Sequence, residues 1–160
     1  MLYLFDANVL IRAHEDYYGL QQVPQFWQWL SGMAEAGQIK MPLEIHDEIA
    51  VANGPLPDWI CDAAIKKALI LDEEVHQDLF DQVLSCYGAN LSDSDLEKIG
   101  RDPFLIAYAL TAPDRIVVTK EVSKRSRQGS NRHIPDVCDD LGVQWMPDFQ
   151  CFRALGFTTR

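Results

Sequence analysis

Four carboxylates stand where an α/β sheet would deliver side chains to one crevice. Asp6 directly follows the apolar run LYLF, and Glu121 follows RIVVTK. Glu48 lies in the helical stretch that begins after QIKMP, and Asp102 opens the apolar stretch PFLIAYAL. Ligands of parallel sheets bind beyond the carboxyl ends of the strands, so acids at those positions are the ones that could share a site. Ionised carboxylates packed together repel and raise one another's pKa, and such a cluster is stable chiefly when a cation neutralises it. Oxygen-only ligation suits Mg²⁺ or Mn²⁺. Two such ions about 4 Å apart can activate a water and stabilise the leaving oxygen of a phosphodiester. Asn8 can hydrogen-bond a ligand carboxylate or the scissile phosphate, and Thr119 can orient the site from a strand end.

Each of these residues also has a structural role open to it. Asp6 could cap a helix starting near Ala7, and Asp102 could cap PFLIAYAL. Glu48 and Glu121 could be solvated surface acids, and Asn8 a turn residue. Asp95, three residues after Ser92, reads as half of a capping box before it reads as a further ligand. Asp78 and Asp81 fall near one helix face, which is solvated or meets a partner. His46 and His133 have no His or Cys at metal spacing, which argues against zinc.

The chain carries a formal charge of −10 over 160 residues, which on its face disfavours a phosphate-binding surface. The distribution changes that expectation. From Lys120 to His133 the sequence KEVSKRSRQGSNRH has five basic residues, Lys120, Lys124, Arg125, Arg127 and Arg132, against the single acid Glu121. This segment contains Gly129, lacks apolar periodicity and reads as an exposed, mobile loop beside Glu121, able to form a phosphate-facing patch or to remain simply a solvated charged loop. The acidic remainder suits a basic partner protein.

The elements that must position these residues alternate. MLYLF, QIKMP, RIVVT and GVQWM read as short buried strands, with ALIL a possible fifth. Helical spacing covers 24–36, 43–52, 57–68, 73–86, 103–110 and 134–141, with Phe26, Trp27 and Trp29 on the first of these as core or dimer-contact aromatics. Alternating strands and helices imply an α/β domain with a parallel sheet, and residues 1–160 read as one domain. The N-terminus lacks a basic region and a cleavage site, and no apolar run reaches the length of a membrane span. Cys61, Cys86, Cys138 and Cys151 form no C-x-x-C pair, so reduced, mostly buried thiols and a cytoplasmic location are expected.

LYLFDANVLI resembles the opening of PIN domains, where an apolar strand ends in Asp and is followed by Thr, Ser or Asn two residues later and then an apolar helix. MPLEIHDEIA resembles the second PIN element, with Glu48 the ligand and Glu44 its neighbour. RDPFLIAYAL is similar to the third, giving Asp102, and RIVVTKE to the fourth, giving Thr119 and Glu121. The phrase HIPDVCDDLGVQWM resembles a VapC-like, PIN-like bacterial family encoded in the manner of toxin and antitoxin pairs. The resemblance implies a PIN-like three-layer sandwich, its central parallel sheet of about four to five strands flanked by helices on both faces. It further implies a Mg²⁺- or Mn²⁺-dependent endoribonuclease with Asp6, Glu48, Asp102 and Glu121 as metal ligands and Asn8 and Thr119 beside them. The partners it implies are an RNA substrate, a cognate antitoxin and a second copy of the chain. Two features depart from the common pattern: Glu121 stands where many members have Asp, and the insert 73–100 is long and acidic.

Two other classes are weaker or simpler. An aspartate-nucleophile phosphatase needs a second acid where Asn8 stands, and no P-loop or dinucleotide glycine pattern occurs. A non-catalytic PIN-fold binding or scaffold module is the alternative, and retention of all four acids argues against it.

Overall fold

In the computed structural model, which describes residues 1–160, the apolar runs become four strands: β1 (Leu2–Phe5), β2 (Ile39–Lys40), β3 (Arg115–Val118) and β4 (Gln144–Met146). Every pairing is parallel, in the order β2-β1-β3-β4. Tyr3, Leu4 and Phe5 on β1 and Ile116, Val117 and Val118 on β3 are buried in unbroken runs, as a parallel sheet covered on both faces requires. Ten α-helices surround it: α1 (Ala7–Arg12), α2 (Pro24–Glu35), α3 (Leu43–Ala50), α4 (Pro55–Cys61), α5 (Ala63–Leu69), α6 (Gln77–Ser85), α7 (Asp93–Ile99), α8 (Asp102–Leu110), α9 (Ile134–Leu141) and α10 (Asp148–Ala154). The protein is an α/β three-layer sandwich around one contiguous core.

The strand order decides where a site can form. From β1 the chain moves outward to β2, then crosses back over to β3 on the other side. Right-handed crossovers send the connecting helices to opposite faces when direction reverses, leaving a crevice at the carboxyl ends of β1 and β3. The two strand ends are pinned together there. The Asp6 amide donates to the Val118 carbonyl at 2.9 Å, and the Thr119 amide to the Met146 carbonyl at 3.2 Å.

Helix α8 is apolar on all sides, with Leu105, Ile106, Ala107, Tyr108 and Ala109 buried, so it occupies the centre of the helical layer rather than its surface. It feeds the parallel strand β3 and therefore runs antiparallel to it, which brings Asp102, its first residue, to the carboxyl edge of the sheet.

Several elements differ from the sequence reading. The single helix expected over 57–68 is two helices, because Asp62 leaves helical geometry and its carboxylate accepts hydrogen bonds from the Ala64 and Ile65 amides as the N-cap of α5. α5 then runs to Leu69, so the possible strand ALIL is reduced to one bridge between Met41 and Ile70. The helix expected from residue 73 begins only at Gln77, since Glu73 is drawn away into an ion pair with Arg115. α10 was not foreseen, nor was the π-helical turn Ala13–Tyr17 that continues α1. α1 and α10 are joined by an ion pair: half-buried Arg12 grips Asp148 through Nε at 2.9 Å and Nη2 at 2.8 Å, and Asp148 is 1% exposed.

Phe26 and Trp27 are core residues, with Trp29 half-buried beside them. All four cysteines are unpaired; Cys138 and Cys151 are buried and Cys61 is exposed. No helix is long and apolar enough to cross a membrane.

Candidate functional site

Asp6 sits at the N-cap position of α1, yet its carboxylate makes no capping hydrogen bond. Oδ2 accepts instead from the Thr119 hydroxyl at 3.0 Å and from Asn8 Nδ2 at 2.9 Å. Thr119 Oγ1 in turn accepts from the Glu121 amide at 3.1 Å, and Asn8 Oδ1 accepts from the Lys120 amide at 3.1 Å. That last bond assigns the Asn8 amide, because its oxygen must face Lys120 and its nitrogen Asp6. A closed lattice of side-chain and main-chain bonds thus joins the end of β1 to the segment after β3. Asp6 and Thr119, 4% and 0% exposed, are fixed in place by it.

The other three acids face Asp6 from separate segments. Asp102 is the first residue of α8 and does not cap it, since Arg101 occupies that position. Its pKa is pushed from 3.8 up to about 9, first by burial and then by the charges of Asp6, Glu121 and Glu48. Glu48, on α3, stands at the open rim and is exposed overall. Burial of its carboxyl against the crevice wall and the charge of Asp6 nonetheless push it from 4.5 to about 7, with Arg101 opposing. Burial and Asp6 raise Glu121, while His133, the Ile134 amide at the start of α9 and Lys120 oppose. Burial raises Asp6 itself, and its bonds to Thr119 and Asn8 hold the rise back. None of the four is in an ion pair, although five such pairs occur elsewhere in the chain. The acids therefore repel one another through Asp6, and Arg101, His133 and Lys120 offset that repulsion at the rim without forming an ion pair with any of them. The acids stand loosely, for no three His, Cys, Asp or Glu side chains are drawn into a ready ligand set.

Glu44 lies outside this group, accepting from the Tyr108 hydroxyl at 3.0 Å. Asp95 closes a capping box with Ser92 at the start of α7. His46 is buried in the core, with Nε2 2.9 Å from the Ile60 carbonyl.

The basic loop is exposed but anchored. Buried Asp136 accepts from the Ser123 hydroxyl and, at 2.8 Å, from the Lys124 amide. His133 Nδ1 lies 2.8 Å from the Val122 carbonyl. Arg132 is engaged by the Cys86 carbonyl at 2.9 Å and by Asp140 at 2.6 Å, and Arg125 pairs with Asp139 at 3.2 Å. Lys120 and Lys124 are exposed. Arg127 lines a cavity of about 360 Å³ together with Asp102, Glu121, Tyr87, Lys98 and His133. Sequence reasoning passed over Arg101, Tyr87 and Lys98, and considered His133 only as a zinc ligand. Arg101 is adjacent to Asp102 in sequence and was visible in RDPF; nothing local in the sequence marks Tyr87 or Lys98.

Comparison with known proteins adds a family without a stated activity. The family described as "Domain of unknown function (DUF4411)" matches residues 3–159. No curated protein and no solved structure matches the chain.

Proposed function

For a chain that belongs to this family of unknown function, we propose, from the site itself, a metal-dependent endoribonuclease of the PIN type. The observation that carries the reading is the placing of Asp6, Glu48, Asp102 and Glu121 around the reversal between β1 and β3, where burial raises all four and the charge of Asp6 further raises the other three, with no protein cation in an ion pair to any of them. Oxygen-only donors fit a hard divalent cation such as Mg²⁺ or Mn²⁺. Mg²⁺ keeps several waters and takes one or two carboxylates plus substrate phosphate rather than an all-protein cage, so the looseness of the set is compatible with it.

The chain's own residues have distinct tasks in this reading. Asp6, held by Thr119 and Asn8, is the fixed ligand. Asp102 and Glu121 lie deeper in the crevice and Glu48 closes it from the rim. When bound, the ions supply the activated water and offset the charge that develops on the phosphate. Lys120, Lys124, Arg125 and Arg127 supply phosphate contacts beside Glu121, and Arg132 stiffens the loop that presents them.

The preference for RNA over DNA, the role as a toxin with a cognate antitoxin, the homodimer and the cytoplasmic location rest on the sequence resemblance and on the unpaired cysteines. A second reading, a non-catalytic binding module, is favoured by the same looseness of the carboxylates. Incubation of purified protein with total cellular RNA and defined tRNAs in Mn²⁺ separates the two, with Asp6→Asn in parallel. Cleavage lost in a folded Asp6→Asn variant is the expected result; cleavage undiminished by it refutes the mechanism.

A further inference from the structure

Asp6 is held in place by Thr119 and Asn8, but nothing holds Glu48 directly. Its carboxylate accepts no hydrogen bond from the protein and enters no ion pair. Its position therefore depends on how α3 is set against the rest of the site, and one residue of that helix is gripped twice. Tyr108 of α8, 3% exposed, donates its hydroxyl to Glu44 Oε1 at 3.0 Å and Oε2 at 3.2 Å. The Glu73 carbonyl is more distant from that hydroxyl, at 3.5 Å. Arg101, immediately before α8, donates from Nη1 to the main-chain carbonyl of Glu44 at 2.8 Å. Donors about two helical turns apart on one helix thus bind the side chain and the main chain of a single half-buried acid on another.

The place of these bonds in the chain links them to the carboxylate group. Glu44 precedes Glu48 by four residues, and Arg101 adjoins Asp102. In an α-helix the carbonyl of one residue accepts the amide four positions on, so the carbonyl gripped by Arg101 is the one that closes the turn carrying Glu48. A carbonyl oxygen has lone pairs for both donors. Residues four apart also share a helix face, where like charges repel. With its carboxylate committed to Tyr108, Glu44 is withdrawn from the group as a fifth acid.

We propose that Glu44 is a positioning residue: bound by Tyr108 and Arg101, it sets α3 against α8 and so fixes the reach of Glu48 toward a divalent cation shared with Asp102. The inference rests on the reading of Asp6, Glu48, Asp102 and Glu121 as a metal site, and it gives Glu44 no contact with metal or RNA.

The test measures Mn²⁺ affinity by calorimetry for wild type, Glu44→Ala, Glu44→Gln, Tyr108→Phe, Glu48→Gln and the double variant Glu44→Ala/Glu48→Gln, with thermal unfolding as the check on each fold. Glu44→Ala and Tyr108→Phe remove the same bond from its two ends and should each weaken Mn²⁺ binding by roughly tenfold, as loss of a residue that orients a ligand does. Glu44→Gln keeps an oxygen for the Tyr108 hydroxyl and should bind close to wild type. In the Glu48→Gln background, Glu44→Ala should weaken binding no further, because a residue that acts through Glu48 has nothing left to position. Equal weakening in both backgrounds makes Glu44 a general support of the fold and overturns the proposal. Glu44→Gln binding as weakly as Glu44→Ala also overturns it, since the charge and not the bond is then the effective quantity. Cleavage of RNA in Mn²⁺ is scored separately. The expected affinities without cleavage by wild type refute the nuclease reading and leave the positioning role standing; cleavage with affinities unmoved by Glu44→Ala and Tyr108→Phe does the reverse.

Discussion

Replacing Asp102 with Asn should make the metal-free protein more stable at neutral and alkaline pH, the opposite of what a buried polar substitution ordinarily does. The Asp102 pKa is raised from 3.8 to about 9 by burial and by Asp6, Glu121 and Glu48. A raised acid binds its proton more tightly in the folded state, so its contribution is fully present below about pH 4 and is lost progressively as pH climbs toward 9. Three pH units within that window, from 5 to 8, correspond to about 4 kcal/mol at about 1.4 kcal/mol per unit, and salt screening reduces this to on the order of 2–4 kcal/mol. Asn carries no such charge, and Asp102 caps no helix. In a domain of this size about 1 kcal/mol moves the midpoint by roughly 2–4 °C, so Asp102→Asn in EDTA should melt roughly 5–10 °C above wild type at pH 8 and close to it at pH 5. Thermal unfolding followed by circular dichroism across that range reads it directly. Adding Mn²⁺ should raise the wild-type midpoint, since a ligand of the folded state stabilises it, and should raise the variant's less. A variant whose stability falls with pH as steeply as that of wild type would refute the account of four mutually repelling carboxylates.

Thr119→Val keeps the β-branched shape but removes the hydroxyl that donates to Asp6 and accepts from the Glu121 amide; metal affinity by calorimetry and Mn²⁺-dependent cleavage should fall by roughly 10–100-fold. Asp148→Ala removes both bonds to Arg12, which stays partly solvated over the rings of Tyr17 and Phe149, and should cost about 1–3 kcal/mol in urea unfolding, with an unchanged midpoint refuting the reading of this pair as a tie between α1 and α10. Phe26→Ala empties a fully buried position contacted by Tyr18, Trp29, Phe152 and Phe157, and the same unfolding assay should show a loss of about 3–5 kcal/mol.

What could be read in the chain before folding depended on how local the cause was. LYLF and RIVV are buried on both faces and need no partner's identity to read as strands, and an acid placed at the end of each is placed by the strand itself. α9 was legible to the residue because Pro135 and Gly142 bracket an apolar stripe. Asp62 was misread although its reason is local: helical spacing ran on both sides of it and a helix-capping side chain breaks no period. The Arg12–Asp148 pair spans 136 positions, and Tyr87 meets Asp102 and Glu121 only after α6, α8 and the basic loop have packed together. No pattern within a helical or strand window carries such contacts.

The balance between core and crevice explains why the acids can persist together. Phe5, Val118, Leu105 and Ile106 are completely buried, and Asp6, Thr119 and Asp102 lie at or near the ends of the elements that hold them. Apolar burial holds β1, β3 and α8 in register, and that register brings the carboxylates into one crevice regardless of their repulsion. Relieving the repulsion by protonation, amide substitution or a divalent cation should then stabilise a framework already formed. Asp102→Asn tests this ordering, because a site that organised the fold would lose stability when its charge was removed.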